Sequence, residues 1–549
     1  MSKNRNGLVV LLPVAIGALL FLLPPQAGAL TSNNIPLDSP MYRYLEKLAG
    51  FGLIESDIAG LKPYSKAEAA RLVLEAEENL AKRKEDVPAL AREMLRRLRE
   101  LIPREVFLRG EEVSPPFLHV NPFSAARFRY VYLDGVPRNY NRQVFISGGQ
   151  SAFGFIGGEL RPDSDSRIAM QSGKEGTPLL ENNEGVIYGQ NHNFELRWQA
   201  EAFVTDKVSF LVEPILLSVP SGSGGDRDNR IDLQKGYGKL GGGGLELEIG
   251  RDANWFGPGY RGALTLSNNA ENFDLVKLSS PEPVDVRWIK RHLGYLKYSF
   301  LFSRFDETGT GNDLRRPYFI GVKMALKPTT WVEIGGNFVR QEGGPGFTGS
   351  PSLQDFIFGG GDTNQSNTIA GLDFRFRIPW LRNTEIYVEY VGEDSALFWP
   401  FVESYVAGFF IPRLTAGGKD DFRFEFFYGN PFLYTDFKFP AGYAYRGMNP
   451  GHSQGGGGVL EFFTRYTHWF SPRINMALEY IHTDRGHEGR VGNQQTEYKN
   501  ACRGFLNLPV HGDFDLGIMY GWERIDNFNL VDGIHRINQL FKADLTYRY

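Results

Sequence analysis

From about residue 124 to its last residue the chain alternates apolar and polar side chains in segments of about 9 to 12 residues, and few folds accommodate that period. In "NFELRWQAEAFV" one face carries Phe194, Leu196, Trp198, Ala200 and Ala202, and the other carries Asn193, Glu195, Arg197, Gln199 and Glu201. The same division returns in Leu372, Phe374 and Phe376 against Asp373, Arg375 and Arg377, at Phe514 to Trp522, and in Phe541, Leu545, Tyr547 and Tyr549 against Lys542, Asp544 and Arg548. A soluble sandwich also alternates, but its strands are usually shorter and its polar face meets water. Here charges of both signs share one face, aromatics gather at the ends of the other, and each segment is long enough to cross a bilayer when tilted. About eighteen such segments predict a mainly β fold, a transmembrane antiparallel barrel with a polar lumen and a lipid-facing exterior.

Connection lengths orient the barrel. From residue 294 onward short links (Pro328-Thr329, Pro379 to Asn383, Phe470 to Arg473, Pro509 to Gly512) alternate with long ones (305 to 317, 340 to 367, 393 to 403, 429 to 458, 483 to 495, 524 to 537). Outer-membrane barrels keep short turns in the periplasm and long loops outside, so the C-terminus is expected to be periplasmic. Parity then requires an odd number of strands between 244–251 and 294–304, which Gly262 to Leu266 or Val284 to Lys290 could supply.

Ahead of the barrel the period is helical. Leu37, Met41, Leu45 and Leu48 recur at helix spacing; Ser65 and Glu68 form a capping box before Ala69, Leu72, Val73, Ala76 and Leu80; Asp86 opens a third segment with Leu90, Met94, Leu98 and Leu101 on one face. Earlier still, Lys3 and Arg5 precede an apolar run from Leu8 to Leu23, then Pro24, Pro25 and Ala27-Gly28-Ala29, the form of a cleaved secretory signal. The expected organisation is a signal peptide over 1–29, a small α-helical periplasmic segment over 30–110, and the barrel with its extracellular loops over 111–549. A net charge of −4 argues against nucleic acid as a partner, and the single Cys502 leaves no internal disulfide. The partners expected instead are outer-membrane lipid and, through the terminal pattern Phe541, Ala543, Leu545, Tyr547 and Tyr549, the barrel-insertion machinery.

One stretch, "RDANWFGPGYRGALTLSNNAENFD" (251 to 274), follows neither rhythm. Pro258 fixes φ and Gly259 tolerates positive φ, so Gly257-Pro258-Gly259 can make a type II turn that gathers Trp255, Phe256 and Tyr260. By parity the stretch leaves the outer end of a strand. Asn268 and Asn269 add amides that donate and accept, as sugar hydroxyls do. It reads either as a glycan-binding site or as a structural corner that packs the barrel mouth.

"WFGPGYRGALTLSNNA" resembles the W-G-P-G … L-x-L-S-x-N-A signature of the Wzi-type capsule assembly proteins, here Trp255, Gly257, Pro258, Gly259, Leu264, Leu266, Ser267, Asn269 and Ala270. "YLEKLAGFGLI … LKPYSKAEAARLVLEA" is similar to that family's helical N-terminal segment, and "YRGMNPGHSQGGGG" followed by "EFFTRYTHWFSPRINMALEYIH" to its late barrel region. The resemblance implies an eighteen-strand outer-membrane barrel, a periplasmic helical bundle, a lumen closed by loops, and a non-enzymatic role in binding or organising capsular or extracellular polysaccharide. Trp255, Tyr260, Arg261, Asn268 and Asn269 are then the candidate glycan-binding residues, with Gly257, Pro258, Gly259 and Ser267 forming the turn.

Other constellations carry less. His482, Asp484 and His487 lack a third ligand at defined spacing. Asp226, Asp228 and Asp232 begin like a calcium loop, but Arg230, the missing central Gly and Tyr237 in the twelfth place break it, so no metal or cofactor is expected. The glycine runs at 241–244, 359–361 and 455–458 read as turns, and no catalytic residue is assigned. The rival reading is a porin-type channel whose head is associated with the cell wall; the head is similar in part to S-layer homology modules but lacks their Asp-Gly-x-Phe turn. A barrel enzyme acting on lipid or glycan is the third.

Overall fold

The computed structural model of the chain describes residues 30–83, 87–110, 115–146, 167–220, 227–242, 244–284, 287–305, 316–344, 365–393, 402–436, 438–439 and 441–548. The predicted signal segment, Asp86, Asp226 and Tyr549 lie outside them.

Four helices form the head: α1 Pro40–Gly50, α2 Lys66–Lys82, α3 Ala89–Leu101 and α4 Pro103–Gly110. Ser65 caps α2 by accepting from the Glu68 amide at 3.1 Å, as the capping box predicts. Sequence periodicity predicts three helices. The fourth exists because Ile102 leaves helical geometry (φ −137°, ψ 51°) and Pro103, with φ preset, restarts it. Leu45, Leu48, Leu72, Val73, Met94 and Leu98 meet in one buried core that also takes in Trp469 of the barrel wall.

Eighteen antiparallel strands close the barrel. They run from Leu118–Asp134 through Asn191–Val204, Val208–Pro220, Arg227–Gly242, Leu245–Asp252, Phe273–Ser279, Tyr295–Arg304, Tyr318–Thr329, Val332–Glu342, Ser366–Ile378, Thr384–Glu393, Val402–Ile411, Asp420–Gly429, Val459–Trp469, Asn475–Arg485, Glu497–His511 and Phe514–Asp526 to His535–Arg548. The last pairs with the first, from Ala125↔Arg548 to Asp134↔Gln539, leaving no free edge. Burial is inside out. Asn193 and Glu195 are 0% and 1% exposed, whereas Phe194 and Leu196 beside them are each 40% exposed, as a polar lumen and an apolar outer wall require. Trp331, Trp380, Phe470 and Phe514 stand exposed at the short-turn rim, the position of an interfacial aromatic girdle.

The strand that parity demands is Phe273–Ser279, not Gly262 to Leu266 or Val284 to Lys290. Gly262 to Leu266 lies in irregular chain, and Arg287–Leu293 is a short helix. Phe273–Ser279 escapes pattern reading because its lumen face, Phe273, Leu275, Lys277 and Ser279, is itself partly apolar, so the two faces look alike. Beyond the barrel, Arg138–Ile146 and Arg167–Gly176 form a hairpin at the long-loop end, where the Phe145 amide donates to the Gly489 carbonyl and that of Lys174 to the Gly447 carbonyl.

The head docks on the short-turn end. Asp57 joins three barrel cations there: its carboxylate accepts from Lys327 Nζ (2.8 Å), Arg375 Nη2 (2.8 Å) and Arg377 Nη2 (3.0 and 3.1 Å). Lys47 Nζ reaches Asp421 at 2.9 Å, and the Tyr44 hydroxyl donates to the Pro472 carbonyl at 2.9 Å.

Candidate functional site

The segment after Leu245–Asp252 begins at the long-loop end but does not stay outside. It folds into the lumen, where Trp255 and Phe256 pair with Lys62 and Leu61 of the head. The stretch leaves the outer end of a strand, as parity expects, and then turns inward. The physical reason is the set of acceptors offered by the lumen wall: the Tyr260 and Arg261 amides donate to Glu425 at 2.7 and 2.9 Å, and the Leu264 amide donates to Glu389 at 3.1 and 3.2 Å. Irregular backbone is held inside a barrel only where such partners exist.

The turn chemistry also differs from expectation. Positive φ falls at Gly257 (+147°), where a β-carbon would stand 2.6 Å from Glu389 Oε2. Gly259 has no positive φ and is needed for space instead, since a β-carbon there would meet the Gly262 carbonyl at 2.1 Å.

The second half of the signature binds the late loop that shares the family resemblance. The Ser267 amide and hydroxyl donate to the Pro450 and Gly451 carbonyls, each at 2.6 Å, and Asn269 Nδ2 donates to the Asn449 carbonyl at 3.0 Å. Tyr434 and Tyr443 donate their hydroxyls to the Leu264 and Thr265 carbonyls at 2.5 and 2.6 Å. Together with Phe273, Phe305, Phe319 and Tyr445, these segments build an apolar partition across the lumen. His452 is buried in it, stacked on Phe427 at 3.8 Å, and burial lowers its imidazole pKa to about 4.

Between this partition and the head lies a chamber of about 470 Å³. Trp255, Pro258, Gly259, Tyr260, Arg261 and Asn268 form its roof, α1 its floor, and Pro472, Arg473 and Asp515 its edge at the short-turn rim. Thirteen Arg or Lys and nine Asp or Glu residues line it, a surplus of positive charge in a chain that is net negative.

Of the predicted glycan-binding residues, the structure brings Trp255, Tyr260, Arg261 and Asn268 to this chamber, while Asn269 faces the late loop. Trp255 donates its ring N–H to the Gly257 carbonyl at 3.1 Å and has Lys62 Nζ over its ring at 5.6 Å. Tyr260 stacks on Phe463 at 5.8 Å and has the Arg423 guanidinium 4.6 Å from its ring centre, so protein groups already pack against its ring. Arg261 is fixed between Glu181 (2.9 Å) and Glu461 (3.1 Å). Burial alone would raise the Glu181 carboxyl, but Arg261 and Arg503 together hold it well below the usual range. Asn268 makes no side-chain hydrogen bond among the described residues, and its buried Oδ1 is unpartnered.

Sequence reasoning missed Arg43, Lys62, Arg423 and Arg465, which share the chamber. Arg423 and Arg465 lie on the strands Asp420–Gly429 and Val459–Trp469, Arg43 on α1 and Lys62 beside Pro63 in the head, so no local pattern in the sequence brings the four together. Among the described residues no group of His, Cys, Asp or Glu could hold a metal. His482 Nε2 pairs with Asp484 Oδ1 at 2.9 Å, and Asp228 and Asp232 sit on the strand Arg227–Gly242.

A sequence profile described as "Capsule assembly protein Wzi" matches residues 161–540, more than half of the chain. A Klebsiella pneumoniae relative described as an "Uncharacterized 55.8 kDa protein in cps region" is 26% identical over 200 residues, 34% of this chain. The chain spans only 38% of that relative's length. The solved structure of Escherichia coli Wzi, described as an outer membrane protein involved in group 1 capsule assembly and a carbohydrate binding β-barrel, matches with a TM-score of 0.64 and 16% identity. That match covers 95% of this chain and 100% of the other and establishes likeness of fold. Pseudomonas aeruginosa OprD, at a TM-score of 0.40 and 10% identity over 78% of this chain and 96% of its own, is too distant to carry an argument. On the extent of the profile match, the chain belongs to the Wzi capsule assembly family.

Proposed function

We propose that the protein is a non-catalytic outer-membrane barrel that binds or organises capsular or extracellular polysaccharide at the cell surface, with its long-loop end outside and its helical head in the periplasm. The observation that carries this reading is the partition. In a chain of this family, the signature segment and the late loop hold each other across the lumen, which favours a binding surface over a conducting pore. Its polarity rests on the alternation of short turns and long loops. Chamber carboxylates such as Glu181, Glu184, Glu479 and Asp544 are tied into ion pairs, an arrangement that fixes shape rather than freeing an acid or base for catalysis. Within this reading Trp255, Tyr260 and Asn268 act from the chamber wall, whereas Arg261, Asn269, Ser267 and the Gly257-Pro258-Gly259 turn hold the partition.

Deleting the gene and staining for surface polysaccharide tests the reading, with conductance of the purified barrel in a planar bilayer as its companion. Loss of retained polysaccharide with a silent barrel is expected. Normal retention with steady open-channel current would instead establish the porin.

A further inference from the structure

The chamber holds cations that the protein itself does not satisfy. Arg43 on α1 is half-buried and lines the chamber, its guanidinium 5.6 Å from the Trp469 ring centre, with no carboxylate bonded to it among the described residues. The charged group acting on it most strongly is another cation, Arg465, and burial followed by that charge draws Arg43 below its ordinary range. Lys62 has no bonded carboxylate among the described residues; its Nζ lies over the rings of Tyr42 at 5.8 Å and Trp255 at 5.6 Å, and Glu46 is the carboxylate that acts on it most. Arg465 gives its Nη1 to Glu479 and its Nε to Thr467, so of the two arginines Arg43 is the one left without a bonded carboxylate; a charge withdrawn from water without a partner is costly, and a bound anion would complete it. Two residues of the chamber lining offer polar groups without a protein partner: the Tyr260 hydroxyl makes no hydrogen bond among the described residues, and Asn268 is buried with its Oδ1 unpartnered. The volume of about 470 Å³ exceeds that of a simple ion and suits a saccharide unit.

We propose that the chamber between head and partition is an oxyanion-binding site in which Arg43, Arg465 and the Tyr260 hydroxyl hold a carboxylate or phosphate, with Lys62 flanking it and Asn268 bonding hydroxyls of the attached sugar. Pro472, Arg473 and Asp515 put one edge of the site at the short-turn rim, the periplasmic side in the proposed orientation. This deepens the polysaccharide reading and rests on it for the sugar to which the oxyanion is attached. It assigns the ligand class as an acidic or phosphorylated saccharide, engaged on the inner side of the partition.

Calorimetric titration of the full-length barrel in detergent tests this with four probes: glucuronate, glucose 6-phosphate, inorganic phosphate and glucose. The anionic sugars are expected to bind at least about tenfold more tightly than glucose, in a salt-sensitive manner. Arg43→Gln should remove about tenfold of that affinity and Arg43→Lys should restore part of it, while heat-modifiable gel mobility shows that both variants are folded. Whichever anionic sugar binds more tightly identifies the source of the oxyanion, and phosphate binding as tightly as either sugar would overturn the role given to Asn268. Equal affinity for glucose and glucuronate, or an Arg43→Gln variant that binds like the parent, would overturn the site. If isolated polysaccharide binds the parent protein but no small anion does, this inference fails while the proposed function stands; anion binding without polysaccharide binding has the reverse meaning.

Discussion

Replacing Asp57 with asparagine tests how the head is held. The substitution preserves shape but removes the charge that joins Lys327, Arg375 and Arg377, all of them buried. The carboxylate accepts charge-assisted bonds from three cations, each worth about 1.5–3 kcal/mol in a protected setting. Glu333 and Glu385 remain to balance Arg375, and Glu385 also reaches Arg377 at 2.7 Å, so the loss should fall at the lower end of the summed range. Breaking a buried pair by removing one partner typically costs about 3–5 kcal/mol, and about 4 kcal/mol is expected here. Burial alone would raise the Asp57 carboxyl, but Arg375, Arg377 and Lys327 hold it well below its ordinary value of 3.8. The sign follows: the contribution is fully present above pH 3.8 and is lost only as pH falls below it, so head docking should be flat between pH 5 and 8. Urea titration with limited proteolysis of the head, followed separately from barrel unfolding, measures the effect. A shift below about 1 kcal/mol would refute the reasoning, because it would mean that the surrounding carboxylates replace Asp57 completely.

Tyr434→Phe removes the donor to the Leu264 carbonyl and the acceptor of the His452 amide, and should weaken the partition by about 1–3 kcal/mol, seen as brief conducting events absent from the parent. His452, lowered by burial from 6.5 to about 4 despite Glu461 and Glu181, with Arg261 and Lys499 also near, contributes stability above pH 6.5 that is lost as pH falls toward 4. Conductance should therefore rise between pH 6.5 and 4, and a His452→Gln variant that keeps the same profile would assign the effect elsewhere. Deleting Leu545 to Tyr549 removes pairing of the closing strand with both neighbours and should abolish assembly, read as loss of heat-modifiable mobility; normal insertion would show that closure tolerates it.

The barrel was legible because the membrane inverts the usual rule of burial, so that charge on one face and aromatics on the other of the same strand leave little else to fold into. Asn193, Glu195 and Arg197 could be assigned to the lumen from local pattern alone, and the structure buries all three. Where the lumen is not polar, the signal vanishes, as in Phe273–Ser279, whose inner face joins the apolar partition. The head was legible through Ser65 and its apolar spacing, but its place inside the barrel mouth was not, since Asp57 gives no local sign of the three cations it meets some 270 to 320 residues later.

The inward fold of the signature segment was hidden for a related reason, and the wall explains it. An irregular segment inside a barrel brings backbone N–H groups that no strand can pair, and each needs an acceptor. The wall supplies carboxylates at those points: Glu389 for Leu264, Glu425 for Tyr260 and Arg261, Glu333 for Ala59 and Gly60, and Glu497 for Asn529. In sequence these glutamates are indistinguishable from the ion-pairing charges beside them, because both occupy the same alternate positions of the same strands. Their role becomes visible only once the loop is in place. Glu333 and Glu497 serve both ends, since they also pair with Arg375 and Arg138, whereas Glu389 and Glu425 meet the amides of the inward segment with no ion pair among the described residues, so the signature segment is anchored by wall carboxylates whose neighbours in the same strands are tied to cations.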